Sequence, residues 1–154
     1  MTVVRGRARG AVRGPVGVLG LVLLNRLFIA HLGDSELLTL DTTTNQVVRR
    51  TAGLAAVHGV LVVPALHRVY ATATGTNQLV ALDETSGAEL WRAPTGSYPD
   101  GIAYAPTTGQ LWVSNEDAGG QSVVDAATGR VVGSVPLGGE AGNVAVDPGA
   151  ESTR

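Results

Sequence analysis

Residues 78–91 read QLVALDETSGAELW. Leu79 and Ala81 alternate with Val80 and Leu82, which is the period-two signal of a half-buried β-strand. The run stops at Asp83. A carboxylate there can accept a backbone N–H two residues ahead, and Gly87 can take the positive φ that closes the turn. Apolar residues then resume, so the stretch predicts a β-hairpin.

The phrase occurs three times. LLTLDTTTNQVV ends its strand at Asp41, LVALDETSGAEL at Asp83 and SVVDAATGRVV at Asp125, and these aspartates are spaced 42 residues apart. Asn45, Gly87 and Gly129 follow at the same offset. Phe28, Tyr70 and Trp112 keep the step, as do Val60, Ile102 and Val144, and Pro64, Pro106 and Pro148. A period of about 40–45 residues with several short strands per unit indicates propeller blades.

One unit shows the design. PDGIAYAP (99–106), QLWVSN (110–115), QSVVD (121–125) and RVVGSVPL (130–137) read as four strands separated by TTG, EDAGG and AATG. Pro106 and its equivalents fall at strand ends, where no ladder donor is lost. The in-register aromatics are large enough to fill the space between stacked blades. The expected fold is therefore all-β, an incomplete β-propeller of about three and a quarter four-stranded blades.

The chain divides into a disordered or degraded segment 1–13, a repeat domain 14–149 and a tail 150–154. Its units are about 14–56, 57–98, 99–140 and a partial 141–149. Gly14–Leu21 reads as the last recognisable strand of a preceding blade, because Gly17 and Val18 fall one period before Gly59 and Val60. The same head, with Arg first and an apolar run after it, also imitates a signal peptide, although no A-x-A site follows. Ten apolar residues are too few for a membrane-spanning helix. Closed propellers typically have about four to eight blades. The chain is thus expected to be a piece of a longer propeller, a partner in a ring of several chains that self-associates through open blade edges, or a degenerate product.

Composition narrows the function classes. At 44% apolar and 16% charged the chain is globular, and a net charge of −2 gives no electrostatic case for nucleic acid. Every basic residue is Arg, and seven of the eleven lie in the first 50 positions. RGRARGAVRG (5–14) is too short a basic arm to carry a nucleic-acid reading. With no Cys there are no disulfides, thiolate nucleophiles or Cys-based metal sites.

LWVSNEDAGGQSVVDAATGRVVGSVPLGGEAGNVAVDPG (111–149), LFIAHLGDSELLTLDTTTNQVV (27–48) and RVYATATGTNQLVALDETSGAEL (68–90) resemble the unit of the YVTN-type β-propeller family. The resemblance covers residues 14–149. It implies a WD40-like propeller, extracytoplasmic placement and a non-enzymatic binding or scaffold role without a cofactor. The implied partner is a protein or a small molecule. Two other resemblances give alternatives. LVALDETSGAELWR is similar to the quinoprotein repeat, but of its copies only this one carries the Trp, Trp91. YPDGIAYAPTTGQLWVSN looks like the gluconolactonase/senescence-marker family, in which an Asp at the mouth of an innermost strand holds a divalent metal such as calcium for lactone hydrolysis. Here that Asp is Asp100. The other blades place His58 and Gly142 at its position, with Asn143 one place off. That family also uses a Glu and an Asn from other blades, and no Glu here falls at an equivalent strand start.

The inner strands of a propeller converge, so their first residues line one mouth of the channel. His58, Asp100 and Asn143 are therefore the candidate binding residues, with Asp100 the metal ligand under the lactonase alternative. No catalytic residue is assigned. Loop residues His31, Asn115, Glu116 and Asp117 come next, the last two reading as solvated loop charge. LGDSELL (32–38) imitates the Gly-Asp-Ser start of certain esterases. Yet Gly33-Asp34-Ser35 occupies the slot of Gly75-Thr76-Asn77, an ordinary inter-strand loop, and no βα alternation exists to build an oxyanion hole. The three His lack a metal spacing such as H-x-x-x-H, and no P-loop or dinucleotide fingerprint is present.

Overall fold

A computed structural model describes residues 25–147, and the candidate strand Gly14–Leu21, the basic head and Pro148 lie outside the described residues. The described residues form three antiparallel sheets in sequence order. The first holds β1 (Arg26–His31), β2 (Glu36–Asp41) and β3 (Gln46–Thr51). The second holds β4 (Val57–Val63), β5 (Arg68–Ala73), β6 (Gln78–Asp83) and β7 (Glu89–Pro94). The third holds β8 (Pro99–Ala105), β9 (Gln110–Asn115), β10 (Gly120–Asp125) and β11 (Val131–Pro136). Each strand pairs with the next one in its sheet, so each sheet is an up-and-down meander. The fold is all-β, and its sheets are propeller blades.

The turn chemistry closes as the sequence requires. Asp83 Oδ1 accepts the N–H groups of Thr85 (3.1 Å) and Ser86 (2.7 Å), and Gly87 has φ 73°. Asp41 accepts from Thr43 (2.8 Å) and Thr44 (3.2 Å), and Asp125 from Ala127 (3.1 Å) and Thr128 (2.8 Å). Hydrogen bonds to the ionised form hold all three carboxyls below their ordinary value. The main cause is the Thr43 N–H for Asp41, the Ser86 N–H for Asp83 and the Thr128 hydroxyl for Asp125. Left-handed backbone repeats with the same step: Ser35, Asn77 and Gly119; Ala56 and Tyr98; His67 and Gly109.

A blade has two apolar faces and must bury both on its neighbours. Toward the first blade, the second presents Val69, Ala71, Val80 and Leu82, which pack with Leu37, Leu54 and Phe28. Toward the third it presents Tyr70, Leu79 and Ala81, which pack with Leu111, Val113 and Val124. The half-buried strand expected at 78–83 is therefore buried on both faces, because its blade is sandwiched. The register aromatics divide on the same geometry. Phe28 packs on the second blade, and Tyr70 is fully buried against the third, where its hydroxyl donates to Ala126 O (2.9 Å). Trp112 is half-buried and lies in neither cluster. Burial pushes the Tyr70 phenol above its ordinary value.

The outer strands are keyed as well. A Cβ at Gly87 would meet the Arg49 side chain at 2.7 Å, and one at Gly129 would meet the Trp91 ring at 2.6 Å. Trp91 also tilts against Tyr70, with ring centroids 5.7 Å apart. The feature behind the quinoprotein resemblance is thus a wedge between two blades.

Two outcomes are expected. Carboxylates with depressed values contribute stability that is fully present above the ordinary 3.8 and is lost as pH falls through the folded-state values. The urea midpoint should therefore fall as pH drops from about 5 to about 2, and Asp83→Asn should flatten that dependence. Separately, a Cβ at Gly59 would sit 2.0 Å from Asp100 O, whereas one at Gly133 meets nothing within 4 Å. Gly59→Ala should cost about 1–3 kcal/mol or more in urea denaturation, and Gly133→Ala should be near neutral.

Candidate functional site

The sequence-predicted mouth begins where the inner strands begin. Ladder pairing is interrupted between Val57 and Val60 in β4 and between Pro99 and Ile102 in β8, so His58 and Asp100 sit at equivalent irregularities. These interruptions free backbone groups that Thr72 and Thr74 of the second blade then use. The Gly59 N–H donates to Thr72 Oγ1 (2.7 Å), and the Thr72 hydroxyl donates onward to Asp100 O (3.4 Å). Thr74 Oγ1 donates to Pro99 O (2.6 Å). A Cβ on Gly101 would lie 3.1 Å from Asn143 Cα. The backbones carrying His58, Asp100 and Asn143 therefore succeed one another, with glycines 59 and 101 permitting the close approach.

Their side chains differ in setting. The His58 ring tilts against the Tyr98 ring at 5.6 Å, and its Nδ1 is enclosed with no hydrogen-bond partner among the described residues. Asp100 is half-buried and Asn143 is exposed. The other end of the inner strands is apolar, forming a groove lined by Leu61, Val63, Ile102, Tyr104 and Val146. The strand starts are thus polar and the strand ends apolar, and the two regions are separate.

A divalent metal at Asp100 needs several oxygen ligands, since calcium takes about six to eight. Asp100 belongs to no group of three or more His, Asp or Glu ligand atoms among the described residues.

The esterase-like phrase has a structural role. Leu32–Asp34 and Thr74–Thr76 are both 3-10 turns closed by a left-handed residue, Ser35 and Asn77 respectively. Ser35 Oγ accepts the Ala56 N–H (3.0 Å), and Asn77 Oδ1 accepts the Tyr98 N–H (3.0 Å). Both bonds tie a loop to the entrance of the following blade. Of the other loop residues, Asn115 is buried and its Nδ2 donates to Ser122 Oγ (2.9 Å), while Glu116 and Asp117 flank it at the surface.

His31 belongs to a group that sequence spacing did not expose. His31, Asp34 and Glu36 bring their ligand atoms within 4.8 Å of one another. The signal was H-x-x-D-x-E, a spacing that only a tight turn between two strands folds together.

No family model matches the chain, and no curated protein matches it. Solved structures do. A hydrazine synthase of Kuenenia stuttgartiensis superposes with a TM-score of 0.70 at 18% identity, over 76% of this chain and 34% of that one. A streptogramin B lyase gives 0.65 at 16%, over 78% and 41%. The WD40 repeats of RRP9 give 0.67 at 13%, over 76% and 37%. The chain thus spans well under half the length of each. At these identities the likeness is one of fold, and it defines the class: a β-propeller fold.

Because Ser35 and Asn77 do the same work, Ser35→Asn should leave stability nearly unchanged. Ser35→Ala should lower it by about 1 kcal/mol, read from urea denaturation, through loss of the Ala56 bond.

Proposed function

We propose that this chain is a non-enzymatic binding or scaffold module of the YVTN type, belonging to an extracytoplasmic propeller and engaging a protein or small-molecule partner at the polar mouth. The observation that carries the reading is His58. Its ring stands at the start of β4 against Tyr98, and its Nδ1 has no hydrogen-bond partner among the described residues, which leaves a polar group for a ligand at the mouth to satisfy. Asp100 and Asn143 follow it along the arc and supply a carboxylate and an amide for orientation. The WD40-like architecture supports a protein partner, and the YVTN-like phrases support the extracytoplasmic placement. The module sits on a scaffold that also carries enzymes, so the assignment rests on the site.

The competing lactonase reading assigns a divalent ion to Asp100. Calorimetric titration with calcium and a lactone-hydrolysis assay separate the two. The binding module should show no Asp100-dependent calcium uptake and no hydrolysis. Partners recovered by affinity capture on the wild-type chain should be lost from a folded His58→Ala/Asp100→Ala variant. Calcium-dependent lactone hydrolysis that disappears in Asp100→Asn would overturn the proposal.

A further inference from the structure

One group of side chains away from the strand starts is arranged for ligand chemistry. His31 ends β1, Asp34 ends the 3-10 turn and Glu36 opens β2. His31 Nδ1 lies 3.3 Å from Asp34 Oδ2 and 3.4 Å from Glu36 Oε1. In a neutral imidazole Nδ1 carries at most one proton, which can be given to only one of two carboxylates. A dication in the same space would engage all three atoms. Ligands bonded at about 2.0–2.1 Å to a tetrahedral zinc lie about 3.3–3.4 Å apart. The two His31 distances match two edges of such a tetrahedron.

The internal repeat supplies an independent observation. One period on, the same three positions hold Ala73, Thr76 and Gln78, and one period further Asn115, Ala118 and Gly120. The second blade builds the same 3-10 turn and left-handed residue without a ligating side chain, and closes it with a Thr76 Oγ1 to Gln78 Oε1 hydrogen bond of 3.0 Å. The turn therefore does not require an imidazole and two carboxylates, and only the first blade has them.

The surroundings suit a metal. Arg50 Nη1 donates to Glu36 Oε1 and holds the carboxylate in place, as outer partners of metal ligands do. The His31 side chain is 43% exposed and that of Asp34 66%, so an ion can reach them. One imidazole with two carboxylates is a donor set for zinc-class transition metals rather than for calcium.

We propose that His31 Nδ1, Asp34 and Glu36 bind one zinc-class dication, leaving a fourth position for water or an external ligand. The site rests on the first blade alone and stands independently of the role given to the mouth. The test titrates the full chain with zinc by calorimetry and with cobalt by visible absorption. The variants His31→Asn, Asp34→Thr and Glu36→Gln each introduce a residue that another blade already carries at that position, which favours intact folding. One equivalent of zinc should bind and raise the unfolding midpoint. Each variant should weaken binding by about tenfold or more with an unchanged circular dichroism spectrum. Asp100→Asn should retain wild-type affinity. Absence of saturable one-to-one uptake, equal affinity in the triple variant, or loss of binding in Asp100→Asn would each overturn the proposal.

Discussion

A meander of four short strands cannot bury its own two faces, and its neighbours must do it. The second blade meets this constraint in full. Leu79 and Val80 are adjacent in one strand, point to opposite sides and are both inaccessible to solvent. Much else follows from that double burial. Phe28 and Tyr70 fill the successive interfaces, Tyr70 finds a carbonyl for its hydroxyl, and the glycines at 87 and 129 leave room for Arg49 and Trp91. A Leu→Ala truncation within such an interface typically costs about 2–5 kcal/mol, more than any surface ion pair here can contribute.

The blades are joined by backbone as much as by side chains. Where β4 and β8 lose ladder pairing, the Thr72 hydroxyl links the Gly59 N–H to the Asp100 carbonyl. Ser35 and Asn77 fasten the preceding loops to the entrances of the next blades. These bonds gather strand starts and tight turns at one end of the stack. The polar mouth and the His31 cluster both arise there, because loops positioned by a rigid scaffold are where binding side chains are commonly carried.

Much of this architecture was legible in the sequence because its causes are local. An aspartate ending an apolar run, followed by a residue that tolerates positive φ, specifies one turn, and three copies at one spacing specify a repeat. That Ser35 sits in an ordinary inter-strand loop was legible for the same reason, through its alignment with Asn77, whereas its bond to the Ala56 N–H was not. The double burial of residues 79–82 was less so, since alternation reports two faces but not what covers them. His31, Asp34 and Glu36 were missed as a set because their spacing matches neither a helix nor a strand, and only the turn brings them together. His58 was singled out from its place at a strand start, but its enclosed Nδ1 and the Tyr98 ring beside it depend on packing between loops that no sequence period encodes.

Residue-resolved hydrogen exchange tests the central claim most directly. If the second blade is the shared core, the amides of β5 and β6 should exchange last, near the rate of global unfolding, while those of β3 and β11, whose residues are largely exposed, should exchange much sooner. Exchange from β6 as fast as from β11 would contradict a stack organised around the doubly buried blade.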